Sequence, residues 1–292
     1  MTRAGPAHFG LDTNAMPQEQ IIQSLWIGPQ LSTMERLSIR SFQSHGHPFH
    51  LYAYDQIEHV PDGVTVKDAN EVLPQSEVFV YTQGPRQGSP SAFVNRFRYK
   101  LLWDRGGWWC DLDVICLKRF DFAGPHVFAG EKRMKKPVFK VNCAVIKAPA
   151  GSKVMRRCYE RATQVGQGVI WAQTGPHLLT RVVYGHWLPL RLLWPPALCR
   201  QLKGPRVFHP IHPWQAADVL KADRQWDLSG AHAVHLWHES WRQNGWEKDG
   251  TYPSSCLYEQ FKARYLGSAG VADEPTASVP ATECLAPDRS AS

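Results

Sequence analysis

"GGWWCDLDVICL", residues 106–117, sets two carboxylates inside a run that otherwise reads as protein interior. Leu112, Val114, Ile115 and Leu117 favour burial, and Trp108 and Trp109 are large apolar bodies. A carboxylate in such surroundings is costly unless it pairs, coordinates a metal or takes up a proton. On a strand, residues i and i+2 face one side. Asp111 and Asp113 are therefore expected to share a face, with Leu112 buried behind them. Two hard oxygen ligands suit Mg²⁺ or Mn²⁺, whose remaining positions go to water and substrate phosphates. A bare D-x-D also occurs as a solvated turn, and here the apolar flanks argue against that reading.

Working outward, "SAFVNRFRYKLLWDRGG" (91–107) reads as a helix. Ser91 is the expected cap, Gly106 the stop, and Phe93, Phe97 and Leu101 recur at i+4 spacing. Asn95 and Arg98, three apart, are neighbours on a different stripe. Before it, "IIQSLWIG" (21–28) is a strand closed by Gly28-Pro29, and Ser32 opens a capping box on Glu35. The helix that follows runs to about His45. "FHLYAYD" (49–55) and "GVTVKDA" (63–69) read as two further strands. Strand–helix alternation predicts an α/β fold with βαβ units and a parallel sheet covered by helices, with ligands at the carboxyl ends of its strands. Later, "NCAVIKAP" (142–149) is a buried strand, "SKVMRRCYERATQVG" (152–166) an amphipathic helix, and Thr174-Gly-Pro a helix start. "AVHLWHESW" (233–241) reads as a strand running into a turn. Residues 1–18 are expected to be a flexible lead-in, 19–266 one domain, and 267–292 a tail short of large apolar groups.

A chain of 292 residues that is 43% hydrophobic can bury one large core. Its 33 Lys+Arg against 26 Asp+Glu, a net charge of +7, favour anionic partners. No helix-turn-helix, RRM-like or zinc-finger pattern appears, so nucleic acid is not an expected partner. The 7 cysteines form no CxxC pair, and several lie in apolar runs, as do buried thiols of a reducing compartment. There is no signal-peptide core, and no run approaches the ~18 apolar residues of a membrane span. The expectation is a cytoplasmic protein, at most peripheral to the inner membrane, with no protein partner indicated. "EKRMKKPVFK" (131–140) reads as a basic loop, either a solvated face or a segment meeting an anionic acceptor or membrane surface.

"FVNRFRYKLLWDRGGWWCDLDVICLKRF" (93–120) resembles the signature of the DXD sugar transferases of glycosyltransferase family 32, which includes α-1,4-glycosyltransferases and Och1-like mannosyltransferases. Arg98-Tyr99, Leu101-Leu102, Gly106-Gly107, Trp108-Trp109, Asp111-Leu112-Asp113 and Val114-Ile115 carry the likeness. "IIQSLWIG", Asn142, "QTGPHLLT" (173–180) and "AVHLWHESW" resemble weaker flanking motifs in the same order.

The resemblance implies a GT-A fold, a Rossmann-like nucleotide-binding sheet flanked by helices, and a retaining, metal-dependent hexosyltransferase. It also implies a nucleotide-sugar donor, a saccharide or glycolipid acceptor, and Mn²⁺ or Mg²⁺. Lacking an anchor, the chain resembles bacterial-type soluble members that build surface polysaccharide or lipopolysaccharide. The implied catalytic set is Asp111, Asp113, Arg98 and Asn95. Asp113 is the implied direct metal ligand. Asp111 binds donor hydroxyls or reaches the metal through water, and His235 approaches the metal or diphosphate. The implied donor-binding set is Leu25, Trp26, Asp55, Arg98, Tyr99, Asn142 and Trp241. Trp26 is either a nucleobase platform or a core residue, and Arg98 either a donor ligand or an ion-pair partner of Asp104 or Asp111. Asn95 stands where the family usually has Asp, which leaves open a catalytically degenerate module that only binds nucleotide sugar or saccharide. His232, His235 and His238 are expected to diverge, and His238 and Glu239 stand at variable family positions. His45, His47, His50, His209 and His212 read as loop residues.

Overall fold

A computed structural model describes residues 20–132, 139–185 and 201–267. The expected lead-in, the middle of the 131–140 loop and the expected tail beyond Gly267 lie outside these residues.

Strands β1 (Ile22–Leu25), β2 (Phe49–Ala53) and β3 (Val64–Asp68) run parallel, and β4 (Gly107–Cys110) lies parallel to the other side of β1. The sheet continues through β7 (Lys140–Ala148), β6 (Val127–Glu131) and the short β8 (Leu202–Lys203). Its order is β3-β2-β1-β4-β7-β6-β8. β7 pairs antiparallel with both β4 and β6, so the expected parallel sheet is mixed. The linker between β6 and β7 is too short for the dozen or more residues a parallel crossover needs.

Helices α1 (Thr33–Ser44), α2 (Ser91–Arg105), α3 (Lys153–Val165) and α4 (Pro176–Val183) flank this sheet. The capping box forms: the Glu35 carboxylate accepts from the Ser32 backbone N–H at 2.9 Å. Ser91 does not cap α2; it is the helix's first residue, and Pro90 holds the cap position.

Trp108 and Trp109 point to opposite faces of β4, as successive strand residues must. Trp109 packs with Phe93, Phe97 and Leu101 of α2, and Trp108 with Ile39, Phe42 and Phe120. This adjacent pair anchors both helical layers. Where α2 gives way to β4, Gly106 has φ +67, and a Cβ there would lie 2.5 Å from the Ala150 backbone nitrogen. Buried Gln23 donates to the Gly106 carbonyl at 2.7 Å and ties the junction to β1. The chain therefore enters β4 in a fixed register and leaves it at the aspartates.

A separate ladder pairs β5 (Val114–Cys116) with β9 (Ala233–His235), antiparallel, with Val114 opposite His235. After β9 the chain forms α5 (His238–Asn244), a short helix where a turn was expected, and later α6 (Leu257–Leu266). Met34 and Leu37 of α1 close a third core cluster with Val234, Trp241, Tyr258 and Phe261. Among the described residues, no helix is long and apolar enough to cross a membrane.

Candidate functional site

The D-x-D is not on a strand. Asp111 follows the last residue of β4, and the Val114 N–H returns to the Asp111 carbonyl at 3.1 Å before β5 begins. A tight turn between two ladders thus brings the carboxylates together, in place of strand alternation. Leu112, at 8% exposure, packs in the second core cluster as expected. The β5–β9 ladder then delivers His235 from 122 residues away, and the Leu236 N–H donates to the Asp113 carbonyl at 2.8 Å.

Each carboxylate is anchored through one oxygen. Asp111 Oδ1 accepts from Trp109 Nε1 at 2.7 Å and sits 3.1 Å from the Arg98 guanidinium. Arg98 also donates to the Cys143 carbonyl and lies over the Trp109 ring at 4.8 Å. Of the ion-pair partners open to Arg98, Asp111 takes it, while Asp104 pairs with Lys100. Asp113 Oδ2 faces His235 Nε2 at 3.1 Å and accepts from the His238 N–H at 2.8 Å. Asp113 Oδ1 is buried without a hydrogen-bond partner among the described residues.

The environment separates the two acids. Burial raises Asp113, but the charge and hydrogen bond of His235 and the His238 N–H outweigh it and hold the carboxyl well below its usual range. Burial also raises Asp111, where the Arg98 charge opposes it without cancelling it and Asp113 adds to it. Burial disfavours charge on His235, yet Asp113 and Asp111 raise it above the ordinary imidazole value.

These groups wall a cavity of about 740 Å³, within the size range of small-molecule sites. Leu25, Trp26, Asn95, Asn142 and His238 also line it. Asn95 is 7% exposed, and its amide makes no hydrogen bond within the described chain. A Cβ at Gly175 would lie 2.8 Å from the Asn95 Nδ2, so glycine there leaves the amide its room. One ligand atom each from Asp111, Asp113 and His235 lie within 4.8 Å of one another. Two carboxylate oxygens and an imidazole nitrogen form a donor set that could hold a divalent metal ion. The partnerless Asp113 Oδ1 fits that use, since a buried polar atom left unpaired is costly.

No family model matches the chain. Lactosylceramide 4-alpha-galactosyltransferase of Homo sapiens is 30% identical over 175 residues, which cover 58% of this chain and 46% of that protein. The Pongo pygmaeus protein of the same name is also 30% identical over 175 residues, covering 58% of this chain and 75% of that one. The chain belongs to the family of these galactosyltransferases. It spans about half the length of the human protein, 46%. Among solved structures, PaToxG glycosyltransferase aligns over 85% of this chain and 86% of its own, with a TM-score of 0.42 and 13% identity.

Not every residue singled out by likeness to the galactosyltransferase family reaches the cavity. Tyr99 is fully buried, its hydroxyl donating to the Thr174 carbonyl at 3.1 Å, because it points into the α2–α3–α4 core. Trp241 is likewise fully buried in the third core cluster, with Nε1 donating to the Leu236 carbonyl at 2.9 Å. Asp55 lines a separate pocket of about 140 Å³ that it shares with Trp26, and accepts from Gln75 at 3.2 Å. Trp26 itself is half-buried between the two cavities, packed against the second core cluster, with Lys248 Nζ 5.3 Å from its ring. Asn142 reaches the large cavity, but its side chain is engaged by Glu131 at 2.8 Å and the Ala144 N–H at 2.7 Å.

Other cavity groups escaped sequence reasoning. Glu131 and Lys140, the ends of the supposed basic loop, are strand residues that form a 2.9 Å ion pair on the cavity wall. His209, read as a loop residue, is fully buried, with its ring centroid 5.2 Å from that of His235. Burial holds it down to about 3. His238 converges on Asp113 with His235, against the expected divergence, while His232 packs on Phe122. Trp237 stacks on His235 at 4.0 Å in a left-handed backbone conformation, φ +60, that nothing in the sequence announces.

Proposed function

We propose that the chain transfers a sugar from a nucleotide-sugar donor to a saccharide or glycolipid acceptor, with retention of anomeric configuration, using Mn²⁺ or Mg²⁺ at Asp111, Asp113 and His235 in a GT-A-type site. The observation that carries this reading is the pair of convergent carboxylates. Each is anchored through one oxygen, and they meet His235 inside a cavity of ligand size. When bound, a divalent cation there stabilises, as a Lewis acid, the charge that develops on a leaving diphosphate.

The protein's own groups prepare that chemistry. His235 and the His238 N–H keep Asp113 ionised and oriented. Arg98 holds Asp111 in place, and its planar fork is suited to donor hydroxyls or phosphate. Trp26 offers an aromatic wall for a nucleobase, and Asn95 an amide for a sugar hydroxyl.

The name of the relatives points to galactose as the first sugar to test and to a lactose-terminated lipid as the first acceptor. The proposal includes a role in surface polysaccharide or lipopolysaccharide synthesis at the cytoplasmic side of a membrane. The five cysteines among the described residues are buried free thiols, which supports a reducing compartment.

The test is a nucleotide-sugar hydrolysis screen with Mn²⁺, with and without lactose. One donor should be cleaved, chelation should stop the cleavage, and lactose should yield a glycoside. No cleavage of any donor under either condition contradicts the proposal.

A further inference from the structure

On the wall of the same cavity, a turn presents an exposed aromatic side chain. Ile170 and Trp171 are 71% and 52% exposed, while the next residue, Ala172, is 4% exposed and holds φ +64. A left-handed non-glycine residue carries strain and persists only where its surroundings enforce it. Here they do. The Gln173 N–H returns to the Ile170 carbonyl at 3.2 Å, the Ile170 N–H donates to the Gln173 side chain at 3.0 Å, and the His177 N–H donates to the Ala172 carbonyl at 3.2 Å. The fold thus spends backbone strain on tucking a small methyl inward and leaving a large ring on the cavity wall.

One cation lies against that ring, and α5 holds it in place. The Arg86 guanidinium lies 4.6 Å from the Trp171 centroid and pairs with Glu239 of α5. Arg242 of α5 holds the same Glu239 and donates to the Pro85 carbonyl at 2.8 Å, which ties the 81–90 segment to α5 beside the cavity. Asn95 adds its unpartnered amide to the same cavity. With Arg86 on one side of the ring, its exposed surface belongs to the other.

We infer that Trp171 is the acceptor platform, on which a pyranose ring stacks while Arg86, Glu239, Arg242 and Asn95 read its hydroxyls. The inference rests on the transferase reading of the cavity. A single exposed aromatic face rimmed by charged and amide groups complements a sugar, which has apolar C–H groups on its face and hydroxyls on its rim. A lipid chain would instead call for a continuous apolar surface. Continuity with the carboxylate cavity makes the occupant the acceptor sugar.

The test measures binding of lactose, maltose and methyl α-mannoside to the full chain by saturation-transfer NMR, with Mn²⁺ and UDP present. At least one saccharide should bind, and its C–H protons should draw saturation from aromatic protons. Trp171→Ala should weaken its Kd at least tenfold, and Trp171→Phe less than threefold. In turnover, the acceptor KM should follow the same order. Three results overturn the platform: no saccharide bound by the parent, saturation that bypasses aromatic protons, or Trp171→Ala binding within twofold of the parent. The proton map uses the parent alone and so stands even if a variant fails to fold. Failure of the transferase reading is distinguishable, as saccharide bound on Trp171 with no nucleotide sugar consumed.

Discussion

Two buried histidines, His47 and His235, are 3% and 7% exposed, yet the structure treats them differently. His47 is complete. Its Nε2 accepts from the Phe120 N–H at 2.9 Å, and its Nδ1 meets the Gln20 carbonyl at 3.1 Å, so the ring is neutral and in one tautomer. Phe42 and Phe120 pack edge-on against it. His235 is incomplete. Its Nε2 faces Asp113 at 3.1 Å, while its own Nδ1, Asp113 Oδ1 and the Nε2 of neighbouring His209 are buried without partners among the described residues. Burial lowers the pKa of His47, whereas the aspartates raise that of His235 against burial. A buried polar group with every bond made is scaffold. A cluster with several bonds unmade, on a cavity wall, is where a protein keeps binding capacity.

The largest effect that would sharpen this contrast is on Asp113. Asp113→Asn should lower transfer by at least about 10²–10³-fold through lost charge stabilisation, with the fold retained by circular dichroism. A variant that loses melting temperature but keeps full turnover would place Asp113 with His47, on the scaffold side. Gly106→Ala should do the opposite. Its φ of +67 and the 2.5 Å approach of Ala150 N predict a loss of about 2–4 kcal/mol in denaturant unfolding. Unchanged stability would mean that the α2–β4 junction is not fixed as described.

The scaffold histidine gives a pH signature of smaller size. His47 has a folded pKa below its unfolded 6.5, so the unfolded state binds the proton first. The stability it contributes is complete above about 6.5 and is lost as pH falls below that value toward the folded pKa. The stability gap between the parent and His47→Gln should therefore shrink as pH falls from 7 to 5. A constant gap over that range would show that His47 is not held neutral.

How much of this was legible in sequence depended on the distance over which residues act. The capping box at Ser32 and the three consecutive turns of apolar residues on α2 are local, and their patterns predicted them. The likeness of residues 93–120 to a family signature brought the aspartates and Arg98 to attention. What failed was non-local or depended on a specific backbone state. The Asp113–His235 bond needs a ladder between residues 122 apart. The turn at Asp111 replaces the strand that alternation suggested. Glu131 and Lys140 looked like ends of a solvated loop until β6 and β7 paired. Tyr99 and Trp241 shared motifs with cavity residues but point into cores. No propensity scale places Ala172 or Trp237 at positive φ.

The smallest expected effect concerns Asn95, which lines the cavity with no hydrogen-bond partner for its amide among the described residues. If it only orients a sugar hydroxyl, Asn95→Asp should change kcat less than about tenfold, ~1.4 kcal/mol. A gain of about a hundredfold, measured by product formation, would mark the natural chain as a weakened catalyst or a binding module.

The central claim is that Asp111, Asp113 and His235 together hold a divalent cation. Its most direct test is a Mn²⁺ titration followed by electron paramagnetic resonance, in the presence of a nucleoside diphosphate. The account predicts one Mn²⁺ per parent chain, affinity at least about a hundredfold weaker in Asp113→Asn, and unchanged affinity in His47→Gln. Equal Mn²⁺ affinity in the parent and Asp113→Asn would contradict it.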